Sequence, residues 1–281
     1  MCTMGESIGK FTVMGTLGHG AHSTILQIRR EKDARIYALK VVAIDDAEEM
    51  KFYEQAKHEY EVAQKLDHPN LVKIPAIEIE RSWLFQVKKV RLLIEYVDGR
   101  TLDRCPAMSV SKLLSIFSQT AAGVAHMHRR GVLHADLKPN NLIVSKTGQV
   151  KVIDYGLAWI KGTPKERIQG TPEYMAPETV ENGTISELSD IYNFGVTLYR
   201  ATTLTLPPAY ISVDGSPVAD RRSWKKLLKP VDSLNPRVPK PLCDLIHQCL
   251  AYQPADRPQS MSAILESLEA IRSELSDSEA S

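Results

Sequence analysis

A change of pattern near residue 100 constrains the fold more than any other feature. Before it, short β-branched and apolar segments alternate with turns; after it, long runs of helix formers take over. "KFTVMGTLG" (10–18) and "STILQIRRE" (23–31) flank a turn holding Gly18 and Gly20. "RIYALKVVAI" (35–44) follows through the polar connection "KDA" as a third strand. One helix then interrupts the strands. "DDAEEMKFYEQAKHEYEVAQKL" (45–66) sets Phe52, Ala56, Glu59 or Tyr60, Ala63 and Leu66 at three- and four-residue spacing. Pro69 stops it by disfavouring helix at the residue before it. Two further strands, "LVKIPAIEIE" (71–80) and "VRLLIEYV" (90–97), lead to the turn "DGRT". Beyond lie a long buried helix over 109–131 ended by Gly131, and helices in "LSDIYNFGVTLYRATTL" and "PKPLCDLIHQCLAY". The expected class is α+β: a small antiparallel β-sheet lobe with one helix, a connection near 96–100, and a larger, mainly helical lobe.

Composition narrows the partners. The 281 residues carry a formal charge of +1 and are 43% hydrophobic, enough for a substantial core. So balanced a charge exerts no global pull on nucleic acid or membrane, and an anionic ligand must be held by a local site. No apolar run reaches ~18 residues, and "MCTMGESIGK" lacks the basic and apolar regions of a signal peptide. Cys2, Cys105, Cys243 and Cys249 form no C-x-x-C pair, which suits reduced thiols in a cytoplasmic protein. The serine-rich acidic end "SELSDSEAS" (273–281) reads as a disordered tail.

Several positions carry chemical potential. In "LGHGAHSTI" (17–25), Gly18 and Gly20 let backbone N–H groups approach a phosphate, although paired glycines also occur in ordinary hairpins. Ser23 stands where a third glycine would complete G-x-G-x-x-G. Ala38 and Lys40 of "YALK" share a strand face, a small residue beside a positive charge. A buried lysine needs a partner. Glu59 is preferred to Glu61, which lies about 200° further around the helix. In "HADLKPNN" (134–141), a carboxylate at Asp136 suits proton acceptance from a hydroxyl, Lys138 suits neutralisation of a phosphoryl group, and Asn141 suits a divalent ion. The plain alternative is a polar turn. His134 is expected to be a satisfied core histidine. Thirteen residues beyond Asn141, Asp154 of "VIDYG" would give a second hard oxygen ligand.

Singly these signals are modest; their order and spacing are not. Glycine turn, strand lysine, helix glutamate, H-x-D-x-K-x-x-N, "DYG" and "GTPEYMAPE" together resemble the eukaryotic-like (Hanks-type) protein kinase catalytic domain, whose signature set is well defined. The match runs over 8–272, with a small lobe at 8–95, a hinge at 96–100 and a large lobe at 101–272. The resemblance implies ATP and Mg2+ as cofactors and a bilobal protein-kinase fold. It implies that Asp136 is the catalytic base, that Lys138 meets the γ-phosphate, and that Lys40 and Glu59 align the nucleotide phosphates. Asn141 and Asp154 would bind metal. The turn residues His19, Ala21, His22, Ser23 and Thr24 would cover the phosphates, and Leu17, Ile25, Ala38 and Ile143 would wall the adenine. Ile94 would be the gatekeeper, with the backbones of Glu95 and Val97 bonding the adenine edge. Glu178 and Arg257 would form a buried ion pair, and Asp190 and Gly195 would lie on the helix supporting the catalytic loop. A lysine at position 138 favours serine and threonine acceptors on protein substrates.

Three residues depart from the family pattern. Ala135 replaces an arginine that, where present, pairs with a phosphorylated activation loop. Tyr155 replaces phenylalanine and adds a hydroxyl that needs a partner if buried. Ser23 replaces a glycine. None removes a reacting group. The alternatives are a nucleotide-binding pseudokinase, against which the retained lysine, base and metal aspartate speak, and a small-molecule phosphotransferase of related fold, against which "GTPEYMAPE" speaks.

Overall fold

The computed structural model describes residues 4–20, 22–163, 169–211, 224 and 226–280. The chain divides into two compact units, Met1–Asp67 with Leu71–Asp98 and Asp154–Gly156, and His68–Asn70 with Gly99–Ile153 and Leu157–Ser281.

The first unit is built on a six-stranded antiparallel sheet. Strands β1 (Ser7–Ile8), β2 (Phe11–His19), β3 (Ser23–Arg30), β4 (Ile36–Ala43), β5 (Ala76–Arg81) and β6 (Val87–Glu95) take the order β1-β2-β3-β4-β6-β5. Val13, Leu26, Ile28, Tyr37 and Leu39 form a buried cluster on it. The strand expected from residue 71 begins only at Ala76. Pro75 has no N–H for a ladder, and Leu71, Val72 and Ile74 are buried by packing instead. Helix α1 (Met50–Ala63) buries Tyr53, Ala56, Glu59, Val62 and Ala63. The apolar stripe read from the sequence therefore carries Glu59 inward, while Glu61 remains at the surface.

The second unit is mainly helical. Ser109 caps α2 (Val110–Arg129) by accepting from the Lys112 N–H, and Gly131 leaves the helix with φ +70°. Phe117 of α2 meets Phe194 of α4 (Glu187–Thr203) edge to face, with ring centroids 5.3 Å apart. Helices α3 (Pro177–Asn182), α5 (Val231–Leu234), α6 (Lys240–Cys249) and α7 (Met261–Ala280) complete the helical elements described. Helix α7 continues through the stretch read as a disordered tail; its serines, glutamates and alanine are compatible with helix once an apolar face has nucleated one. Two small sheets carry the loops of interest. One orders β10 (Val150–Val152), β9 (Leu142–Ser145) and β7 (Gly99–Thr101); the other pairs β8 (Val132–Leu133) with β11 (Trp159–Ile160).

Candidate active site

The first unit gathers one set of expected residues. Lys40 lies in β4 between Ile25 of β3 and Leu92 of β6, so the sheet fixes its position. Its Nζ donates to Glu59 Oε2 at 2.7 Å, and Glu59 is almost wholly buried. Burial alone would lower the lysine's pKa; the carboxylates of Glu59 and Asp154 outweigh it and hold the ammonium above its ordinary value. Asp154 stands just beyond β10 with φ +66°, and its Oδ1 accepts from the Gly156 N–H at 3.2 Å. Tyr155 between them is fully buried. Its hydroxyl donates to the Val72 carbonyl at 3.0 Å, the partner that a tyrosine at this position requires.

The glycine turn joins β2 to β3. Gly20 N–H donates to Ser23 O at 2.8 Å, and a Cβ on Gly20 would lie 2.7 Å from Ser23 Oγ. Ser23 thus packs against the turn's own backbone, whereas a Cβ on Gly18 would meet nothing within 4 Å. Thr24 and His19 approach at 3.4 Å. Ala21 lies outside the described residues. Leu17 is exposed, Ile25 half-buried and Ala38 buried. Ile94, Glu95 and Val97 are half-buried. The Glu95 N–H already donates to the Lys73 carbonyl at 2.8 Å, so an adenine contact from that residue's backbone falls to its carbonyl.

One contact here was not legible in the sequence. The His22 ring stacks on Phe52 of α1 with centroids 3.8 Å apart and planes 19° from parallel, and its Nδ1 lies 3.8 Å from Glu49 Oε1. Phe52 falls on the helix's apolar stripe, and no periodicity distinguishes a ring that packs on a turn from one that packs on a core.

The second unit gathers the other set. Asp136 follows β8 and every oxygen of its carboxylate is engaged. Oδ1 accepts from Thr171 N at 3.0 Å and Thr171 Oγ1 at 2.8 Å; Oδ2 accepts from Lys138 Nζ at 2.7 Å. Lys138 Nζ also donates to Thr171 Oγ1 at 2.6 Å. Asn141 Nδ2 donates to the Asp136 carbonyl at 2.8 Å, which turns its amide oxygen to the other side. Ile143, in β9, is half-buried.

Behind this cluster Asp190 of α4 fixes the loop. Its carboxylate accepts from the backbone N–H groups of His134 and Ala135, each at 2.8 Å, and meets His128 Nε2 at 2.9 Å. Ala135 takes φ +64°, which aims two successive N–H groups at one anion. Burial alone would raise the Asp190 carboxyl; the hydrogen bond and charge of His128, with His134 and the Ala135 N–H, outweigh it and hold the group below its ordinary value. His134 is fully buried, its Nε2 3.4 Å from the Ile153 carbonyl. Glu178 and Arg257 make a buried two-point ion pair at 2.8 Å and 2.8 Å. The role of Asn70 was missed: it bonds Gln119 Oε1 at 3.0 Å and the Val150 carbonyl at 2.9 Å. In the sequence it was only part of a helix stop.

Taken singly, the Asp154 carboxylate of the first unit and the Asn141 amide oxygen of the second are hard donors of the kind that Mg2+ takes, beside water and phosphate. Among the described residues no cluster of three or more histidine, cysteine or acidic side chains could hold a metal instead.

A family model described as the protein kinase domain matches residues 11–268. A serine/threonine-protein kinase of Arabidopsis thaliana, AtPK1/AtPK6, is 30% identical over 215 residues, covering 74% of this chain and 44% of the relative. The serine/threonine-protein kinase PrkC of Bacillus subtilis is 26% identical over 260 residues, 89% of this chain and 38% of the relative. The serine/threonine-protein kinase pkn3 of Myxococcus xanthus is 27% identical over 299 aligned residues, 96% of this chain and 52% of the relative. The chain spans about half the length, or less, of these relatives.

Proposed function

Because this chain belongs to the protein kinase domain family, we propose that it transfers the γ-phosphoryl group of ATP to serine and threonine hydroxyls of proteins, with Mg2+ as cofactor. The observation that carries the reading is the closed cluster of Asp136, Lys138 and Thr171. It places a carboxylate, an ammonium and a hydroxyl within hydrogen-bond reach of one another, the groups needed to align an acceptor hydroxyl and neutralise a phosphoryl group.

In this reading Lys40, held by Glu59, binds the nucleotide phosphates, and the turn at 17–25 covers them. Asn141 and Asp154 would hold the ion, which would supply charge neutralisation on the phosphates. The acceptor hydroxyl takes a place on Asp136 as Lys138 moves from the carboxylate to the γ-phosphate. The acceptor oxygen bonds to phosphorus, the bond from phosphorus to the bridging oxygen breaks, ADP leaves, and the acceptor proton passes to Asp136. The catalytic domain is assigned to 8–272, with the protein acceptor as its partner and the cytoplasm as its setting. Among the described residues no helix is long and apolar enough to cross a membrane.

The test is transfer of labelled phosphate from MgATP to generic protein and peptide acceptors, beside small-molecule acceptors. Wild type should label serine and threonine, and D136N and D154N should lose at least about a hundredfold in rate while melting like the parent. Nucleotide binding without transfer would leave a binding module, and transfer to small molecules alone would reassign the acceptor; either outcome overturns the reading.

A further inference from the structure

The β5–β6 hairpin ends in Trp83, Leu84 and Phe85, which are 86%, 56% and 80% exposed. Three consecutive large apolar side chains in water are unusual on a monomer. The turn that presents them is firmly closed: Ser82 N–H donates to Gln86 O at 2.8 Å, Phe85 N–H to Ser82 O at 2.9 Å, and the Arg81 guanidinium to the Phe85 carbonyl at 3.1 Å. Phe85 sits at φ +61°, a conformation that bulky side chains avoid, so three bonds hold the ring outward against its local preference.

The same unit carries a groove of about 240 Å3 at the opposite end of the same two strands. Its floor and walls include Ile8, Phe11, Ala76 and Leu93, and its rim Lys10, Glu78 and Arg91. Tip and groove are complementary. The walls are apolar, Lys10 is exposed and offers a cation to an aromatic face, and the Glu78 carboxylate, mostly exposed and 3.3 Å from Arg91, offers an acceptor to an indole N–H. We propose that this face binds a second copy of the chain, each hairpin tip seated in the groove of its partner.

The geometry suits a two-fold pair. Ala76 pairs with Leu93 at the groove end and Arg81 with Val87 at the tip end, so groove and tip lie roughly 17 Å apart at about 3.3 Å per residue. Two such hairpins laid antiparallel bring each tip over the other's groove, a self-complementary contact. With about 150–250 Å2 per aromatic side chain, two tips and two grooves bury roughly 1,800 Å2, within the range of about 1,200–2,000 Å2 for specific interfaces.

The inference is independent of the catalytic reading and is tested without an activity assay. Sedimentation equilibrium from low to high micromolar concentration should show wild type dimerising. W83S/F85S at the tip and A76R in the groove should each weaken association at least tenfold while keeping the parent's circular dichroism and melting. An equimolar mixture of the two variants should associate more strongly than either alone, because one intact tip then meets one intact groove. Should the double variant fail to fold, W83S alone serves, since its side chain is in solvent. A wild type that stays monomeric overturns the proposal, as does a dimer indifferent to A76R. Tip-dependent binding to phosphatidylcholine–phosphatidylserine vesicles by a monomer also overturns it, and makes the occupant a membrane.

Discussion

Asp190 shows how one buried carboxylate positions another, Asp136, that it does not touch. It accepts from the successive backbone N–H groups of His134 and Ala135 and meets His128, so the loop reaches Asp136 already oriented. Its folded-state pKa lies below the ordinary value of 3.8. The sign follows: its stabilisation is fully present above the unfolded value and is lost as pH falls through the lower, folded value. D190N removes the charge and turns an amide donor towards two N–H groups. It should cost about 2–4 kcal/mol at neutral pH. In urea unfolding, that difference between wild type and D190N should shrink as pH drops through the carboxylate range. A gap that stays constant down to pH 3 would show that the charge contributes nothing. At the same scale, the hydroxyl of Tyr155 was legible as a group needing a partner, but its acceptor, the carbonyl of Val72, was not. The two residues are 83 positions apart, and no local pattern records a contact between a side chain and a distant carbonyl.

At the scale of elements, Gly195 sets how closely α4 and α6 approach. A Cβ there would lie 2.7 Å from the Cβ of Cys249, 3.2 Å from its carbonyl carbon and 3.4 Å from Leu250 Cδ2. Alanine is the better helix former by about 1 kcal/mol, yet overpacking a close contact costs about 1–3 kcal/mol, and backbone cannot rotate away. G195A should therefore destabilise, by up to about 2 kcal/mol net, read as a lower urea midpoint with an unchanged slope; a stabilised variant would mean that the helices separate freely. Elements were the most legible level. The stripe Phe52, Ala56, Glu59 or Tyr60, Ala63 and Leu66 pointed to a helix over 45–66, of which α1 keeps Met50–Ala63, and the angle between Glu59 and Glu61 put Glu59 inward, because burial of a helix face is periodic. Alternation in "YALK" put Ala38 and Lys40 on one side of β4 for the same reason. Where periodicity competes with backbone chemistry it misleads, as at 71–75, where apolar residues read as strand precede β5, which begins only after Pro75. The His22–Phe52 stack escaped because it joins a turn to a helix across thirty positions.

For the whole molecule, the proposed activity bears on the segment between Asp154 and Glu178. Between Asp154 and Glu178 the only hydroxyl-bearing residues besides Tyr155 and Tyr174 are Thr163 and Thr171. Thr171 is committed to Asp136 and Lys138, and both tyrosines are buried. Thr163 is the remaining acceptor for an activating phosphate. Its hydroxyl already donates to the Ile160 carbonyl at 2.7 Å, and its own carbonyl accepts from Trp159 Nε1 at 2.9 Å. Strand β11, which carries Trp159 and Ile160, pairs with β8, the strand leading into the Asp136 loop. The stretch 159–163 is thus tied down with no phosphate present. A phosphate adds about −1.5 to −2 charges and orders a loop by finding arginine; at the position before Asp136 this chain has Ala135. Loop phosphorylation should therefore be dispensable. T163A forfeits one hydrogen bond near the surface, about 0.5–1.5 kcal/mol of local stability, and should keep most of its phosphoryl transfer, as should wild type after phosphatase treatment. Initial rates on a generic protein acceptor decide the matter. A near-total loss in T163A, matched by loss in phosphatase-treated wild type and reversed on rephosphorylation, would mean that a phosphothreonine finds its cation elsewhere in the chain and that Ala135 does not release the enzyme from this control.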